Sequence, residues 1–230
     1  MPPRNPYNLE YTVSAIHGKV FVLDAWPIIP VVKGMVLTLE PLHSHQPPPL
    51  PSGYLCRSPR GQDAQNLWRM GRVLLAQTPH FVRSPVERGE TAQEFAQVIE
   101  YFSRMPGHEM INIWHGDSPV AEAALTPGTL IRTAHSASLG MGILKDHWHK
   151  GLGQHMAQVL EVHAHKNGVE RLELTVFASN HRARDFYHRL GYSEEGIKRR
   201  SVRFPSTEPA QLPWYEDEVL MSKWIGPDGI

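Results

Sequence analysis

SLGMGILKDHWHKGLGQHM, residues 138–156, reads as a strand, a glycine-containing turn and the opening of a helix. Ser138 to Leu144 is the strand. The turn Lys150-Gly151-Leu152-Gly153 starts a helix whose Leu152, Met156, Val159, Leu160 and His163 fall on one stripe. Gly168 stops that helix, and RLELTVF, Arg171 to Phe177, is a second strand rich in β-formers. Strand, helix, strand in this order implies a parallel pair joined by a right-handed crossover, and hence an α/β fold.

The first N-H groups of a helix have no intrahelical acceptor and sit at the positive end of its dipole, so the turn from His149 to Gln154 suits a pyrophosphate. Gly151 and Gly153 let the backbone close on phosphate oxygens, and His149 and Lys150 add charge at the rim. By itself G-x-G is ordinary turn chemistry. It is no P-loop, because the GK[ST] ending is missing, and it lacks the third glycine of a dinucleotide fingerprint. Downstream stands Asn180-x-x-Ala183-x-x-x-Tyr187-x-x-Leu190-Gly191-Tyr192. Asn180 alone reads as a helix cap and Tyr187 alone as a core tyrosine. Seven residues apart on one helix, they lie roughly 10 Å apart on nearly one face.

Together the two halves resemble the GNAT superfamily of acyl-CoA-dependent N-acyltransferases, from about Tyr54 to Trp224. SLGMGILKDHWHKGLGQHM is similar to the family's strand, pyrophosphate loop and helix, and LELTVFASNHRARDFYHRLGYSEEG to its second strand and following helix. AQTPHFVRSPVERGETAQEF resembles the stretch between the first two helices in the amino-acid and antibiotic branches. The resemblance implies a mixed sheet of about six or seven strands whose central parallel pair splays apart, with acetyl-CoA as cosubstrate and no metal. Ile143 and Leu144 would then give backbone contacts to pantetheine. Trp148, His149, Lys150, Gly151, Leu152, Gly153 and Gln154 would surround the pyrophosphate, Asn180 would bond the pantetheine, and Tyr187 would lie near the sulfur. Two positions depart from the pattern: Trp148 stands where relatives carry Gln or Arg, and Ser138 stands where they often carry a Glu base.

An alkyl amine titrates near pH 10 and must lose a proton before it attacks a thioester. Glu122 and His135 are the candidate bases. A backbone N-H near Leu144 would stabilise the oxyanion, and Tyr187 would protonate the thiolate. The leading function is acetyl transfer to a primary amine of a small molecule such as an amino acid, polyamine or antibiotic-like amine. Acetylation of a protein N-terminus or lysine shares every cofactor residue, and a non-catalytic CoA-binding sensor is a reading of another class.

The remaining chain frames this core. Lys plus Arg and Asp plus Glu number 23 each, so no net field draws the protein to nucleic acid or an acidic membrane. Cys56 is the only cysteine, which excludes an internal disulfide and a cysteine zinc cluster. Fourteen histidines include the spaced pairs His43/His45, His147/His149 and His163/His165, without a carboxylate at ligand spacing. Neither a signal-peptide run nor a span of roughly 20 apolar residues occurs, so a soluble, cytoplasmic protein is expected, with a homodimer compatible.

HSHQPPPLPSG, His43 to Gly53, reads as a linker. Residues 1–50 are accordingly an unassigned extension, with strand-like runs at Lys19 to Leu23 and Val36 to Leu39, and residues 51–226 the N-acetyltransferase domain. Within the domain, strands are expected at Tyr54 to Arg57, Met110 to Trp114, Val120 to Leu125, Tyr192 to Lys198 and Glu218 to Trp224. Helices are expected after Asp63, with Pro79 ending the first, after the capping box at Thr91, and from Arg182 to Leu190.

Overall fold

The computed structural model describes residues 12–16, 19–23, 46–89, 91–205 and 212–227. The chain divides into two compact units, 1–42 and 43–230. In the first, β1 (Thr12–Ile16) and β2 (Lys19–Leu23) pair as an antiparallel hairpin. β2 is the expected strand; the run from Val36 to Leu39 lies outside the described residues.

The second unit runs β3 (Tyr54–Arg57), α1 (Ala64–Ala76), α2 (Ala92–Arg104), β4 (Glu109–His115), β5 (Ser118–Pro127), β6 (Ser136–Ile143), α3 (Leu152–Lys166), β7 (Arg171–Phe177), α4 (His181–Arg189), β8 (Ser193–Phe204) and β9 (Trp214–Trp224). Its seven-stranded sheet has the order β3-β4-β5-β6-β7-β9-β8. Every neighbouring pair is antiparallel except β6 with β7. The crossover through α3 makes that pair parallel, as the order strand, helix, strand requires.

Apolar stripes place the helices. Leu67, Met70 and Leu74 of α1 and Phe95 and Ile99 of α2 bury against Met110 and Trp114. Leu152, Met156, Leu160 and Ala164 of α3 bury in a separate cluster with Ile113, Leu125, Leu139, Leu172 and Met221. Full burial of each large side chain contributes about 1.5–3 kcal/mol. The proline-rich run joins this core at its end: Leu50 packs on it and the Pro48 carbonyl lies 2.7 Å from His155 Nδ1.

Helix ends follow the sequence with one difference. Thr91 Oγ1 accepts from the Glu94 N-H, as the capping box requires. Asp63 stands at the N-cap of α1 without capping it, because its carboxylate accepts from the Arg60 N-H at 2.7 Å and from the Arg57 guanidinium at 2.6 and 3.0 Å. Arg57 holds the Asp63 carboxyl below its ordinary range, with burial opposing. The last hairpin is longer than its apolar runs. Past a bulge between Lys198 and Val202, Val202, Arg203 and Phe204 pair with Glu216, Tyr215 and Trp214. Phe204 and Trp214 stack at 3.8 Å, a cross-strand aromatic contact that extends the pairing.

Candidate active site

β6 and β7 are bonded only at their beginnings, through Ser136↔Arg171, Ala137↔Leu172 and Ser138↔Glu173. Beyond Ser138 the strands separate, while β6 stays paired to β5 as far as Ile143 and β7 to β9 as far as Phe177. Backbone groups alternate in direction along a strand. Ser136 accepts from Gly128 and Leu144 donates to Val120, so the even-numbered residues of β6 face β5. Met141 and Ile143 therefore turn their backbone polar groups into the gap. This corrects the expectation for Leu144: its N-H is donated to the Val120 carbonyl at 3.0 Å and is unavailable to a ligand or an oxyanion. Met141 faces the gap in its place, which the pairing of β6 with β5 shows.

The gap opens a cavity of about 1190 Å³. On one side stands the turn before α3. His149 and Gly151 both have left-handed backbone, at φ 59° and 76°, a shape that nests successive N-H groups. Among the described residues no side chain caps α3, and the first turn, Leu152, Gly153 and Gln154, lines the cavity. A Cβ on Gly151 meets no described residue within 4 Å, so among the described residues the space over this turn is open. Gly153 has a different reason to be glycine, since its Cβ would stand 3.1 Å from Phe186 and 3.4 Å from Ile143.

The other loop residues divide. Trp148 and His149 line the cavity, whereas Lys150 does not. Lys150 Nζ donates to Tyr54 Oη at 3.1 Å and to the Asp146 carbonyl at 3.0 Å. Trp148 Nε1 donates to the Ile143 carbonyl at 2.7 Å, leaving the Ile143 N-H as that residue's group for the gap.

Across the cavity, Asn180 is both cap and lining residue. Its Oδ1 accepts from the Ala183 N-H at 3.2 Å, and its Nδ2 has no partner among the described residues. Tyr187 is buried, contacts the Phe186 and Tyr192 rings, and lines the cavity. Burial pushes its hydroxyl well above the ordinary phenol range, so it stays protonated.

The candidate bases lie elsewhere. Glu122 is outside the cavity lining, its carboxylate gripped by Arg88 at 2.7 and 2.5 Å. His135 is exposed before β6, where its carbonyl accepts from Glu170 and Arg171. Neither reaches the gap.

Other groups do, and apart from Ser138 sequence reasoning did not name them. Ser138, Gly140 and Gly142 share one face of β6; a Cβ on Gly142 would strike Leu74 and Phe81, which fixes this as the face under α1 and the segment that follows it. Glu173, Thr175 and Glu218 line the cavity from the sheet. Ser138 Oγ donates to Glu173 at 3.4 Å, Arg171 Nε lies 3.6 Å from the same carboxylate, and Thr175 Oγ1 donates to Glu218 at 3.0 Å. His80, Phe81 and Val82 line it from the segment after α1. The His80 ring stands edge-on to Phe177, and its Nδ1 is buried with no partner among the described residues. Burial lowers its pKa below the ordinary 6.5, Glu216 opposes and Arg182 adds to the lowering, so the ring is neutral at pH 7.

An open helix N-terminus, unpaired strand groups and a long cavity between them fit a diphosphate joined to an extended amide-bearing arm. Comparison with known proteins agrees. The chain belongs to the acetyltransferase (GNAT) family, whose model matches residues 75–192. It is accordingly an acyltransferase with acetyl-CoA as donor. A GNAT-family acetyltransferase from Streptococcus pneumoniae shares the fold at 24% identity and TM-score 0.66, over 75% of this chain and 99% of that one. Ribosomal-protein-alanine N-acetyltransferase from Brucella melitensis is similar at 17% identity and TM-score 0.62, over 74% and 99%. A phosphinothricin acetyltransferase from Sinorhizobium meliloti, solved with acetyl-CoA, is similar at 11% identity and TM-score 0.64, over 76% and 89%. No curated protein sequence matches the chain. Among the described residues no cluster of metal-ligating side chains occurs, and no helix is long and apolar enough to cross a membrane.

Proposed function

We propose that the chain transfers acetyl from acetyl-CoA to a positively charged small-molecule amine. The observation that carries this reading is the sheet side of the cavity, where Glu173 and Glu218 stand with Thr175 opposite His80, Phe81 and Val82. Carboxylates on a partly dry surface attract an ammonium group, and an aromatic wall shields its carbon skeleton. The donor supplies an activated acyl carbonyl. In this reading Met141 and Ile143 offer backbone bonds to its arm, Asn180 offers Nδ2, and the turn from His149 to Gln154 offers its N-H groups to the phosphates.

His80 is the proposed base. A neutral imidazole beside the acceptor pocket can take the ammonium proton at pH 7, whereas Glu122 is already bonded to Arg88. The Tyr187 hydroxyl, kept protonated by burial, donates a hydrogen bond where the sulfur ends. Because its pKa is raised, it stabilises the departing thiolate by that bond and does not surrender its proton. Orientation of the two reactants supplies much of the remaining rate. A reducing cytosol suits the single thiol, Cys56, which burial pushes up to about 11 and so holds protonated.

The test is release of free CoA across a panel of polyamines, amino acids, aminoglycoside-type amines and peptides bearing free N-termini or lysines. Turnover of a small cationic amine is expected, with KM for that amine raised about tenfold by Glu218→Gln. In kcat/KM, His80→Gln should remove the limb that rises with pH below about 6.5. Turnover confined to peptides contradicts the acceptor assignment.

A further inference from the structure

We propose that Arg182, carried on the face of Trp148, is a phosphate-binding residue of the donor site. It supplies the fixed positive charge that the turn before α3 does not aim into the cavity. The proposal rests on the acetyl-CoA reading and goes beyond it by naming a residue outside the loop.

Trp148 carries no charge to offer an anion. Its indole is nevertheless fixed, because Nε1 donates to the Ile143 carbonyl at 2.7 Å at the end of β6. Over the ring lies the Arg182 guanidinium, its carbon 3.2 Å from the centroid. A planar cation on an aromatic face is held in orientation while its N-H edges remain free. Both residues line the cavity beside His149, Gly151 and Gln154.

The surroundings of Arg182 set it apart from the arginines that brace this unit. Arg57, Arg88, Arg171 and Arg184 each grip a carboxylate. Among the described residues Arg182 makes no hydrogen bond or ion pair; it rests on the indole, and its charge also reaches the His80 ring. Burial alone acts on its pKa, lowering it, with no carboxylate raising it again. Lys150, the cation within the loop, is turned to Tyr54 and Asp146. A guanidinium free at its edges, next to open helix N-H groups, matches the two-oxygen edge of a phosphate. The donor carries such edges in its diphosphate and in its ribose 3′-phosphate.

Calorimetric titration of the full chain with acetyl-CoA, acetyl-dephospho-CoA and acetyl-pantetheine separates these sources, with thermal melts confirming that each variant folds. Arg182→Ala should raise the Kd for acetyl-CoA roughly 10- to 100-fold and leave acetyl-pantetheine binding unchanged. An equal loss with acetyl-dephospho-CoA assigns the contact to the diphosphate; a loss confined to acetyl-CoA assigns it to the 3′-phosphate. Trp148→Ala should weaken acetyl-CoA binding about three- to tenfold. Added to Arg182→Ala it should cost less than the sum, because the two act as one unit. Arg72, which lies over Trp68 at 5.2 Å and outside the cavity lining, is the control: Arg72→Ala should change nothing. Unchanged acetyl-CoA affinity in Arg182→Ala, or an equal loss with acetyl-pantetheine, overturns the proposal. Absence of acetyl-CoA binding by the wild-type chain overturns the donor reading instead.

Discussion

Glu122 decides between a catalytic and a structural use of a strand carboxylate, and its surroundings predict the second. Arg88 reaches it from a short helical turn, Pro85–Arg88, with a side chain only 7% exposed against 22% for Glu122. The guanidinium also lies 4.3 Å over the Phe95 ring and donates to the Leu67 carbonyl, so it ties α1, α2 and β5 together. Gly71 belongs to the same arrangement, because a Cβ there would stand 2.2 Å from the guanidinium carbon. Glu122→Ala leaves that cation buried without its partner. Breaking a buried pair costs about 3–5 kcal/mol, and the partial exposure of Glu122 puts the effect near the lower end, about 3 kcal/mol. For a domain of this size that is a fall in Tm of about 6–12 °C. A lost general base would instead lower kcat by roughly 10²- to 10⁴-fold. Thermal melts and initial rates on the same preparations, with rates taken well below Tm, read both quantities. The expected result is the Tm loss with kcat within about threefold of wild type. An unchanged Tm with kcat down a hundredfold would refute the reasoning and return Glu122 to the reaction.

Tyr187→Phe should lower kcat by roughly 10²-fold, as expected for removal of one preorganised donor, while acetyl-CoA titrations show little change in affinity. Gly153→Val should push Phe186 and Ile143 apart, lowering both Tm and acetyl-CoA affinity. Gly151→Ala meets open space but inherits a left-handed backbone, so it should cost about 1–2 kcal/mol in a denaturant melt. Arg171 and the Ser222 hydroxyl hold the Glu195 carboxyl down to about 2 from 4.5. A carboxyl with a lowered folded pKa stabilises above its unfolded value, and that stability is lost as pH falls through the folded one. Glu195→Gln should therefore be less stable than wild type at pH 7, by at most about 1 kcal/mol for so exposed a pair, with the difference closing between pH 4.5 and about 2 in urea melts.

Periodicity and turn chemistry made most of the second unit legible. The strand-helix-strand order required the parallel pair, and the turn before α3 and Asn180 both lie on the cavity. What escaped was set by tertiary direction. Leu144 and Met141 are both apolar strand residues, and only the pairing of β6 with β5 shows which backbone faces the gap. Glu122 alternates as a solvent-facing strand residue would, yet Arg88, 34 positions away, folds over it. Lys150 sits inside the loop motif, but a long flexible side chain goes where acceptors are, here to Tyr54 and Asp146. His80 follows Pro79 in a segment without periodic pattern, so nothing local distinguished it from the other thirteen histidines.

Hydrogen exchange of the individual β6 amides with and without acetyl-CoA tests the central claim most directly, namely that the donor arm completes the split between β6 and β7. The amides of Met141 and Ile143, which face the gap, should exchange readily in the free protein and become protected on addition of acetyl-CoA. Those of Gly140 and Gly142, which face β5, should be protected in both states. No gain at Met141 and Ile143 under saturating acetyl-CoA would contradict the account and place the donor elsewhere on the molecule.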